Sequence, residues 1–294
     1  MYDIKAIYEA YTIEEAIKLK KEHPEAKFIG GGSDVLIKIR EGKLAGSELI
    51  SIYLCDELRG VSLLENGDLR IGALTSFSHV TENELVQKYC PTLGEAVDTA
   101  GGPQLRNIAS IGGNVCNGVP SADSATTIFA YDAIIELEGE EGKREIPIKD
   151  FYLGFGRVDL SPTEIMTSLR IPKESYEGYY GHYYKYAMRN AMDIATSSCS
   201  ISLKFKEGNI VEDVRAAYGV AGPVPLRVFE AEKNLKGKEL TKEAINEFAK
   251  NVLKELSPRD SWRASKALRR QILFEITRRC LENIDEKHKG GHHA

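Results

Sequence analysis

Two clusters of glycine constrain the fold of this chain more than any other feature of its sequence. The first, Gly30-Gly31-Gly32, follows a strand-like run at residues 27–29 and precedes an apolar, helix-like stretch at residues 35–39. Ser33 or Asp34 stands where a helix N-cap is expected. Consecutive glycines allow positive φ and close backbone approach to a ligand, and the unpaired N–H groups at a helix start favour an anion. Taken alone the segment is a weak signal, because a plain tight turn is the commoner explanation.

The second cluster, Gly112-Gly113, lies in a stretch from residue 106 to residue 123 that has no clean periodicity. A stretch of that length without a pattern is usually disordered or functional, and its apolar residues favour function. Ser110 and Asn114 add side-chain donors beside the glycines. Asp123 is predicted to start a helix, where its carboxylate would either accept hydrogen bonds from sugar or ribityl hydroxyls or serve as an N-cap. Two glycine loops indicate a large ligand with several polar parts, for which a dinucleotide fits better than a mononucleotide.

The composition excludes several classes of protein. The 294 residues suffice for two domains, and a net charge of -5 argues against nucleic acid as a partner. No signal peptide and no membrane span are expected. The five cysteines are scattered without a C-x-x-C pair, so neither a complete disulfide framework nor a zinc or local iron–sulfur site is predicted. Reduced thiols in the cytoplasm are the simplest interpretation.

Local patterns predict a mixture of helices and strands. Thr12 and Glu15 form a capping box for a helix that ends before Pro24, and Asn66-Gly67 marks the turn of a β-hairpin. The other predicted elements are strands at 49–52, 133–137, 145–148 and 164–171, a helix at 92–100, a linker at 173–181, strands at 183–188, 198–205 and 214–220, and helices at 228–235, 242–256 and 262–283.

Four segments resemble signature motifs of the flavin subunits of molybdenum hydroxylases. Residues 27–34 are similar to the first FAD loop of that family, and residues 106–114, continuing to Asp123, are similar to the second. Residues 185–195 carry the pattern Lys-x-x-x-Arg-x-x-x-Asp-Ile-Ala, which is specific to the group, and residues 257–265 resemble its C-terminal signature. The resemblance is strongest to the separate FAD subunit of bacterial xanthine dehydrogenases. Flavin subunits of carbon monoxide, aldehyde and aromatic-compound dehydrogenases are close competitors.

The resemblance implies an α+β fold with two domains. A two-lobed FAD-binding domain of the vanillyl-alcohol oxidase type would occupy residues 1–176, with lobes at about 1–55 and 56–176. A smaller α+β domain of antiparallel strands and helices, of the carbon monoxide dehydrogenase flavoprotein type, would occupy residues 181–285. Residues 286–294 would form a flexible tail.

The resemblance also implies where FAD binds. Both glycine loops would wrap the pyrophosphate, Asp123 would hold ribityl hydroxyls, Ile165 or Met166 would touch the isoalloxazine ring, and Lys185 would lie near its polar edge. On sequence alone, core packing is the commoner role for Met166 and a surface position the commoner one for Lys185. No catalytic and no metal-ligating residue is predicted. The complete set of predicted cofactor-binding residues is Lys27, Phe28, Ile29, Gly30, Gly31, Gly32, Ser33, Asp34, Ala109, Ser110, Ile111, Gly112, Gly113, Asn114, Asp123, Ile165, Met166 and Lys185.

The implied function is that of one subunit in a larger dehydrogenase. A molybdopterin-binding large subunit would oxidise the substrate, with xanthine as the first expectation. A small subunit with [2Fe–2S] clusters would deliver electrons to FAD on this chain, and the flavin would pass them to NAD. Two alternatives stay open: a standalone FAD oxidase, against which the short C-terminal region argues, and a non-catalytic nucleotide-binding or scaffolding subunit.

Overall fold

The computed structural model describes residues 2–290, and its first structural unit is a small parallel sheet. Strands β1 (Ile4–Glu9), β2 (Lys27–Ile29) and β3 (Ser47–Ser51) lie in the order β1-β3-β2. Helix α1 (Ile13–Glu22) begins as predicted, because the Thr12 hydroxyl accepts the Glu15 N–H at 3.1 Å. Helix α2 (Val35–Arg40) follows the first glycine cluster.

The second unit is a five-stranded antiparallel sheet. Its strands lie in the order β4-β5-β10-β6-β7. The predicted hairpin around Asn66-Gly67 is confirmed as strands β4 and β5, and the predicted strand before Pro172 is confirmed as the central strand β10. The bounds of the five strands are β4 (Val61–Leu63), β5 (Leu69–Gly72), β6 (Ile134–Gly139), β7 (Gly142–Pro147) and β10 (Ile165–Ile171).

Short helices cover one side of this sheet and enclose the largest apolar core of the protein. The helices are α3 (Phe77–Glu82), α4 (Glu84–Tyr89), α5 (Pro91–Asp98), α6 (Pro103–Ile108), α7 (Ile111–Cys116), α8 (Asp123–Ala130) and α9 (Ile148–Phe151). The sequence stretch 106–123, which shows no clean periodicity, is ordered and contains the end of α6, the whole of α7 and the first residue of α8. A two-stranded hairpin, β8 (Tyr152–Gly154) with β9 (Arg157–Val158), projects between α9 and β10.

A second apolar core lies between a four-stranded antiparallel sheet and three helices. The antiparallel arrangement confirms the predicted α+β class of the C-terminal part. The strands are β11 (Tyr179–Tyr186), β12 (Ser197–Phe205), β13 (Val211–Gly219) and β14 (Leu226–Arg227), and the helices are α10 (Phe229–Leu235), α11 (Lys242–Glu255) and α12 (Lys266–Lys289).

Two boundaries differ from the prediction. The predicted linker at 173–181 contains a 3-10 turn, Lys173–Ser175, and the first residues of β11. The predicted flexible tail from residue 286 is also wrong at its start, because α12 continues to Lys289. The remainder of that tail, residues 291–294, lies outside the described residues.

Partly exposed polar contacts join the two cores. Glu95 of α5 accepts hydrogen bonds from the Lys287 ammonium of α12 at 3.0 Å and from the Tyr183 N–H of β11 at 3.3 Å. Asp132, which follows α8, pairs with Arg215 of β13 at 2.8 Å and with Arg227 of β14 at 2.5 Å. No helix among residues 2–290 is long and apolar enough to cross a membrane.

Candidate functional site

The two glycine clusters, far apart in the sequence, lie against each other in the structure. A Cβ atom placed on Gly31 would lie 1.8 Å from the carbonyl oxygen of Ile108, a distance that no side chain can occupy. A Cβ on Gly30 would lie 2.7 Å from Leu74 and 3.9 Å from the Ser110 hydroxyl. The backbone of the first cluster is therefore pressed against the start of the second, and the two present one continuous surface.

Close packing, more than backbone conformation, explains these glycines. Of Gly30, Gly31, Gly32, Gly112 and Gly113, only Gly32 has a positive φ, at 74°. The expectation that the glycines serve positive φ is therefore wrong for the other four. Gly112 shows the alternative reason: a Cβ there would lie 2.6 Å from the Cβ of Ala73, whose carbonyl accepts the Gly112 N–H at 2.8 Å.

The second cluster is the first turn of helix α7 and not a loop. The Ser110 hydroxyl caps this helix by accepting the Gly113 N–H at 3.2 Å. Ile111 and Val115 are fully buried at helical spacing, so apolar burial and the serine cap outweigh the poor helix propensity of two adjacent glycines. Gly113 itself is exposed and forms part of the open face of the site.

The first cluster presents free backbone donors. Over the described part of the chain, the N–H groups of Gly30, Gly31 and Gly32 donate to no protein acceptor. These three residues are only partly buried, so their donors are accessible to a ligand. A row of unpaired N–H groups in a glycine turn is a common way to bind phosphate oxygens.

A polar triad closes one end of the cluster. Asp34 does not cap α2; its carboxylate instead pairs with the Lys38 ammonium at 2.5 Å and accepts the Asn117 side-chain amide at 3.3 Å. Lys38 also donates to the Asn117 amide oxygen at 3.1 Å. Lys38 and Asn117 were missed by the sequence analysis. The spacing of four residues between Asp34 and Lys38 on a predicted helix was the one available signal.

Asp123 and Lys185, predicted separately, form a buried ion pair. The Lys185 ammonium lies 2.9 Å from the Asp123 carboxylate, and the two side chains are 7% and 13% exposed. Lys185 also donates to the Thr99 carbonyl at 3.1 Å, and the Tyr183 hydroxyl lies 3.5 Å from Asp123. Burial raises the pKa of the Asp123 carboxyl, and the charge of Lys185 opposes that rise. Asp123 is the first residue of α8 and makes no capping bond, so the N-cap alternative is wrong.

Asn114 connects this ion pair to the second glycine cluster. Its amide oxygen accepts the Ser124 N–H at 3.2 Å and the Ser124 hydroxyl at 2.6 Å. Because Ser124 follows Asp123 directly, these bonds hold the start of α8 beside α7. The amide oxygen of Asn114 thus has a structural partner in Ser124.

Ile165 and Met166 lie on the central strand β10 and point to opposite faces of the sheet. Ile165 packs in the core of the first lobe, with Leu74 and Ile50. Met166 packs in the core of the second lobe, and its sulfur lies 3.6 Å from that of Cys116 at the end of α7. Both residues are buried, which agrees with the packing role favoured by sequence alone for Met166.

The remaining predicted residues support the two clusters. Lys27, Phe28 and Ile29 form β2, which leads directly into the first cluster, and Ser33 is half-buried at its end. The Ala109 carbonyl accepts the Phe77 N–H at 2.9 Å and fixes the entry to α7. Among the described residues, no group of three histidine, cysteine or acidic side chains is arranged to hold a metal.

Two family descriptions match nearly the whole chain. Residues 2–174 match the FAD binding domain in molybdopterin dehydrogenase, and residues 182–284 match the CO dehydrogenase flavoprotein C-terminal domain.

Individual relatives agree with these matches. The chain is 38% identical over 281 residues to the xanthine dehydrogenase FAD-binding subunit of Escherichia coli O157:H7, covering 96% of each sequence. It is 30% identical to the glyceraldehyde dehydrogenase medium chain of Sulfolobus acidocaldarius, covering 94% of this chain and 96% of that one. The carbon monoxide dehydrogenase structure from Hydrogenophaga pseudoflava superimposes with a TM-score of 0.90 at 28% identity, covering 96% of this chain and 97% of that one.

Proposed function

The chain belongs to the FAD-binding medium subunits of the molybdenum hydroxylases, and we propose that it binds FAD across the two glycine clusters as the electron outlet of a xanthine dehydrogenase-like complex. The main support for this binding site is one contact, in which Gly31 packs against the Ile108 carbonyl. That contact, together with the bonds of Asn117 to Asp34 and Lys38, brings two segments about 80 residues apart in the chain into one surface, and backbone N–H groups on such a surface suit the phosphates of a dinucleotide.

The residues present fit FAD. The free N–H groups of the first cluster and the exposed Gly113 suit the pyrophosphate. The Asp123 carboxylate suits hydroxyl groups of the ribityl chain, and Ile165 or Met166 suits an aromatic ring. In this proposal the FAD contacts are Lys27, Phe28, Ile29, Gly30, Gly31, Gly32, Ser33, Asp34, Ala109, Ser110, Ile111, Gly112, Gly113, Asn114, Asp123, Ile165, Met166 and Lys185.

The protein's contribution is binding and orientation. FAD, when bound, would supply the redox chemistry: it can take up two electrons one at a time together with protons from solvent, and it can give up two electrons with one proton as a hydride. Lys185 is fixed by Asp123 and by the Thr99 carbonyl, so its ammonium is held at one place, where it would lie near the polar edge of the ring. Hydride transfer to NAD requires no acid or base from the protein, and we assign none.

In such a complex each subunit would perform a different step, and these steps define the proposed partners. A molybdopterin-binding large subunit would oxidise xanthine, a small subunit with [2Fe–2S] clusters would carry the electrons, and NAD would accept them from this chain in the cytoplasm. The similarity to a xanthine dehydrogenase subunit over 96% of both sequences supports this choice of substrate. The medium chain of a glyceraldehyde dehydrogenase, at 30% identity, supports an aldehyde dehydrogenase complex as the alternative.

Kinetic assays of the isolated and the assembled protein test this function. The FAD-loaded chain alone should oxidise NADH with a tetrazolium dye as acceptor and should not turn over xanthine. Adding the molybdopterin and iron–sulfur subunits should produce xanthine-dependent reduction of NAD. Xanthine oxidation by this chain alone would refute the division of labour, and electron flux from xanthine to oxygen that bypasses NAD would indicate an oxidase.

A further inference from the structure

Two exposed aromatic side chains, each with an arginine stacked on it, lie on one side of the protein. Trp262 is 76% exposed, and the guanidinium of Arg263 lies 4.3 Å from its ring centre. Phe155, at the tip of the β8–β9 hairpin, is 62% exposed, and the guanidinium of Arg259 lies 5.7 Å from its ring. Tryptophan and arginine are the residue types that dominate binding energy in protein interfaces.

Arg259 and Arg263 lie close enough to Arg269 for their charges to act on it. The guanidinium of the buried Arg269 donates to the Ser261 hydroxyl at 2.6 Å and to the Thr196 carbonyl. The same hydroxyl accepts the backbone N–H of Arg263 at 3.2 Å, so Ser261 ties the two segments together. Among residues 2–290, no carboxylate lies within 4 Å of the guanidinium groups of Arg259, Arg263 or Arg269.

The electrostatics of the buried arginine agree with this geometry. Burial lowers the pKa of Arg269, the positive charges of Arg259 and Arg263 lower it further, and Asp260 acts in the opposite direction. Arginines elsewhere are neutralised: Arg170, for example, lies 2.7 Å from the Asp68 carboxylate. The surface around Trp262 therefore carries an excess of positive charge, three arginines against the single carboxylate of Asp260, and this excess complements an acidic partner.

This surface adjoins the candidate cofactor site. The Gly156 N–H, one residue beyond Phe155, donates to the Gly118 carbonyl at 2.9 Å. A Cβ on Gly118 would lie 2.9 Å from the Arg157 nitrogen, so the hairpin and the end of α7 are in direct contact. Gly118 follows Asn117, a member of the triad that closes the first glycine cluster.

We propose that Trp262, Phe155, Arg259 and Arg263 form the docking surface for an acidic face of the iron–sulfur partner subunit. The inference rests on the proposed function, in which that subunit must approach the flavin side of this chain to deliver electrons. The two aromatic side chains would be buried on association, and the arginines would pair with carboxylates of the partner. Exposed apolar side chains rimmed by charge are typical of such sites.

The test measures the dissociation constant between the FAD-loaded chain and the purified iron–sulfur subunit. Trp262→Ala and Arg259→Glu should each weaken binding by about tenfold or more, and added salt should weaken the wild-type interaction. Two matched controls should bind as wild type. Phe229→Ala removes another exposed ring with a stacked arginine, Arg227 at 4.8 Å, and Lys250→Glu reverses an exposed charge on α11.

The outcomes separate this inference from the proposed function. Unchanged affinity of both Trp262→Ala and Arg259→Glu for the iron–sulfur subunit would overturn the docking surface, as would weakened binding to the molybdopterin subunit alone. A wild-type chain that binds no FAD would instead contradict the proposed function. Both variants should keep the FAD content and thermal midpoint of the wild type, because their side chains are exposed.

Discussion

At the scale of single residues, Gly31 contributes to the site by the absence of a side chain. The space that its Cβ would fill is occupied by the Ile108 carbonyl, and this contact brings together two segments that the sequence can only show separately. The sequence identified both clusters because runs of glycine are conspicuous. It misjudged the reason for them, since packing of backbone against backbone leaves no local pattern.

Gly31→Ala should abolish or strongly weaken FAD binding. The methyl group would force the clusters apart, which should lower FAD affinity by about a hundredfold or more and destabilise the protein by about 1–3 kcal/mol. Gly94→Ala is the matched control, because a Cβ there meets only ordinary contacts at 3.8 Å or more, and its stability should stay within about 1 kcal/mol of wild type. For each variant, FAD titration measures the affinity for FAD and urea unfolding measures the free energy of unfolding. Wild-type affinity in Gly31→Ala would mean that the contact does not shape the site.

Some contacts between site residues could not be predicted from the sequence, for a physical reason. Asp123 and Lys185 were identified through family motifs, but their mutual contact at 2.9 Å depends on how β11 packs beside α8. Asn117 was missed because its partners, Asp34 and Lys38, belong to a helix that follows the other glycine cluster. Contacts of this kind are set by tertiary structure alone.

At the scale of elements, helices and strands marked by a strong local sequence signal were predicted correctly, and those without such a signal were missed. The Asn66-Gly67 turn and the Thr12 cap each specify an element within a few residues, and both are present. The stretch 106–123 defeated prediction because α6 and α7 have only six residues each, too few for a periodic pattern to appear. The start of β11 at Tyr179 was missed because the polar and aromatic composition of residues 173–181 suggested a linker.

The β4–β5 hairpin depends on one buried carboxylate, and Asp68→Asn tests this. Asp68 accepts bonds from Arg170 at 2.7 Å, the Lys173 N–H at 2.9 Å and Asn66 at 3.0 Å. Burial disfavours its charge, but these bonds prevail and lower the pKa of Asp68 below 3.8. The substitution should therefore destabilise the protein by about 2–4 kcal/mol at pH 7.

The pH dependence of this effect has a definite sign. A carboxyl whose pKa is lowered by folding contributes stability above its unfolded pKa, and the contribution is lost as pH falls through the folded value. The difference in free energy of unfolding between wild type and Asp68→Asn, measured by urea unfolding, should thus be full at pH 7 and shrink below about pH 4. Glu65→Gln, on an exposed neighbour, should show no such gap. A gap that stays constant down to pH 3 would refute the role of the charge.

At the scale of the whole molecule, buried polar groups hold the two cores together. The Asp123–Lys185 pair joins α8 of the first core to β11 of the second, within the proposed cofactor site. In the FAD-free protein, Asp123→Asn and Lys185→Met should each destabilise by about 2–4 kcal/mol, because each leaves a buried group without its partner. The double variant should be more stable than the sum of the two losses predicts, by about 1–3 kcal/mol. Strictly additive losses in urea unfolding would show that the pair does not couple the cores.

The most direct test of the central claim is the flavin content of the purified wild-type chain after incubation with FAD and removal of the excess. We expect a visible flavin spectrum, with FAD equimolar to protein. Because neither glycine cluster offers a group for covalent attachment, acid precipitation should release all of that flavin into the supernatant as intact FAD. A colourless protein that takes up no FAD would contradict the account, and colour that stays with the precipitated protein would contradict the non-covalent site proposed for it.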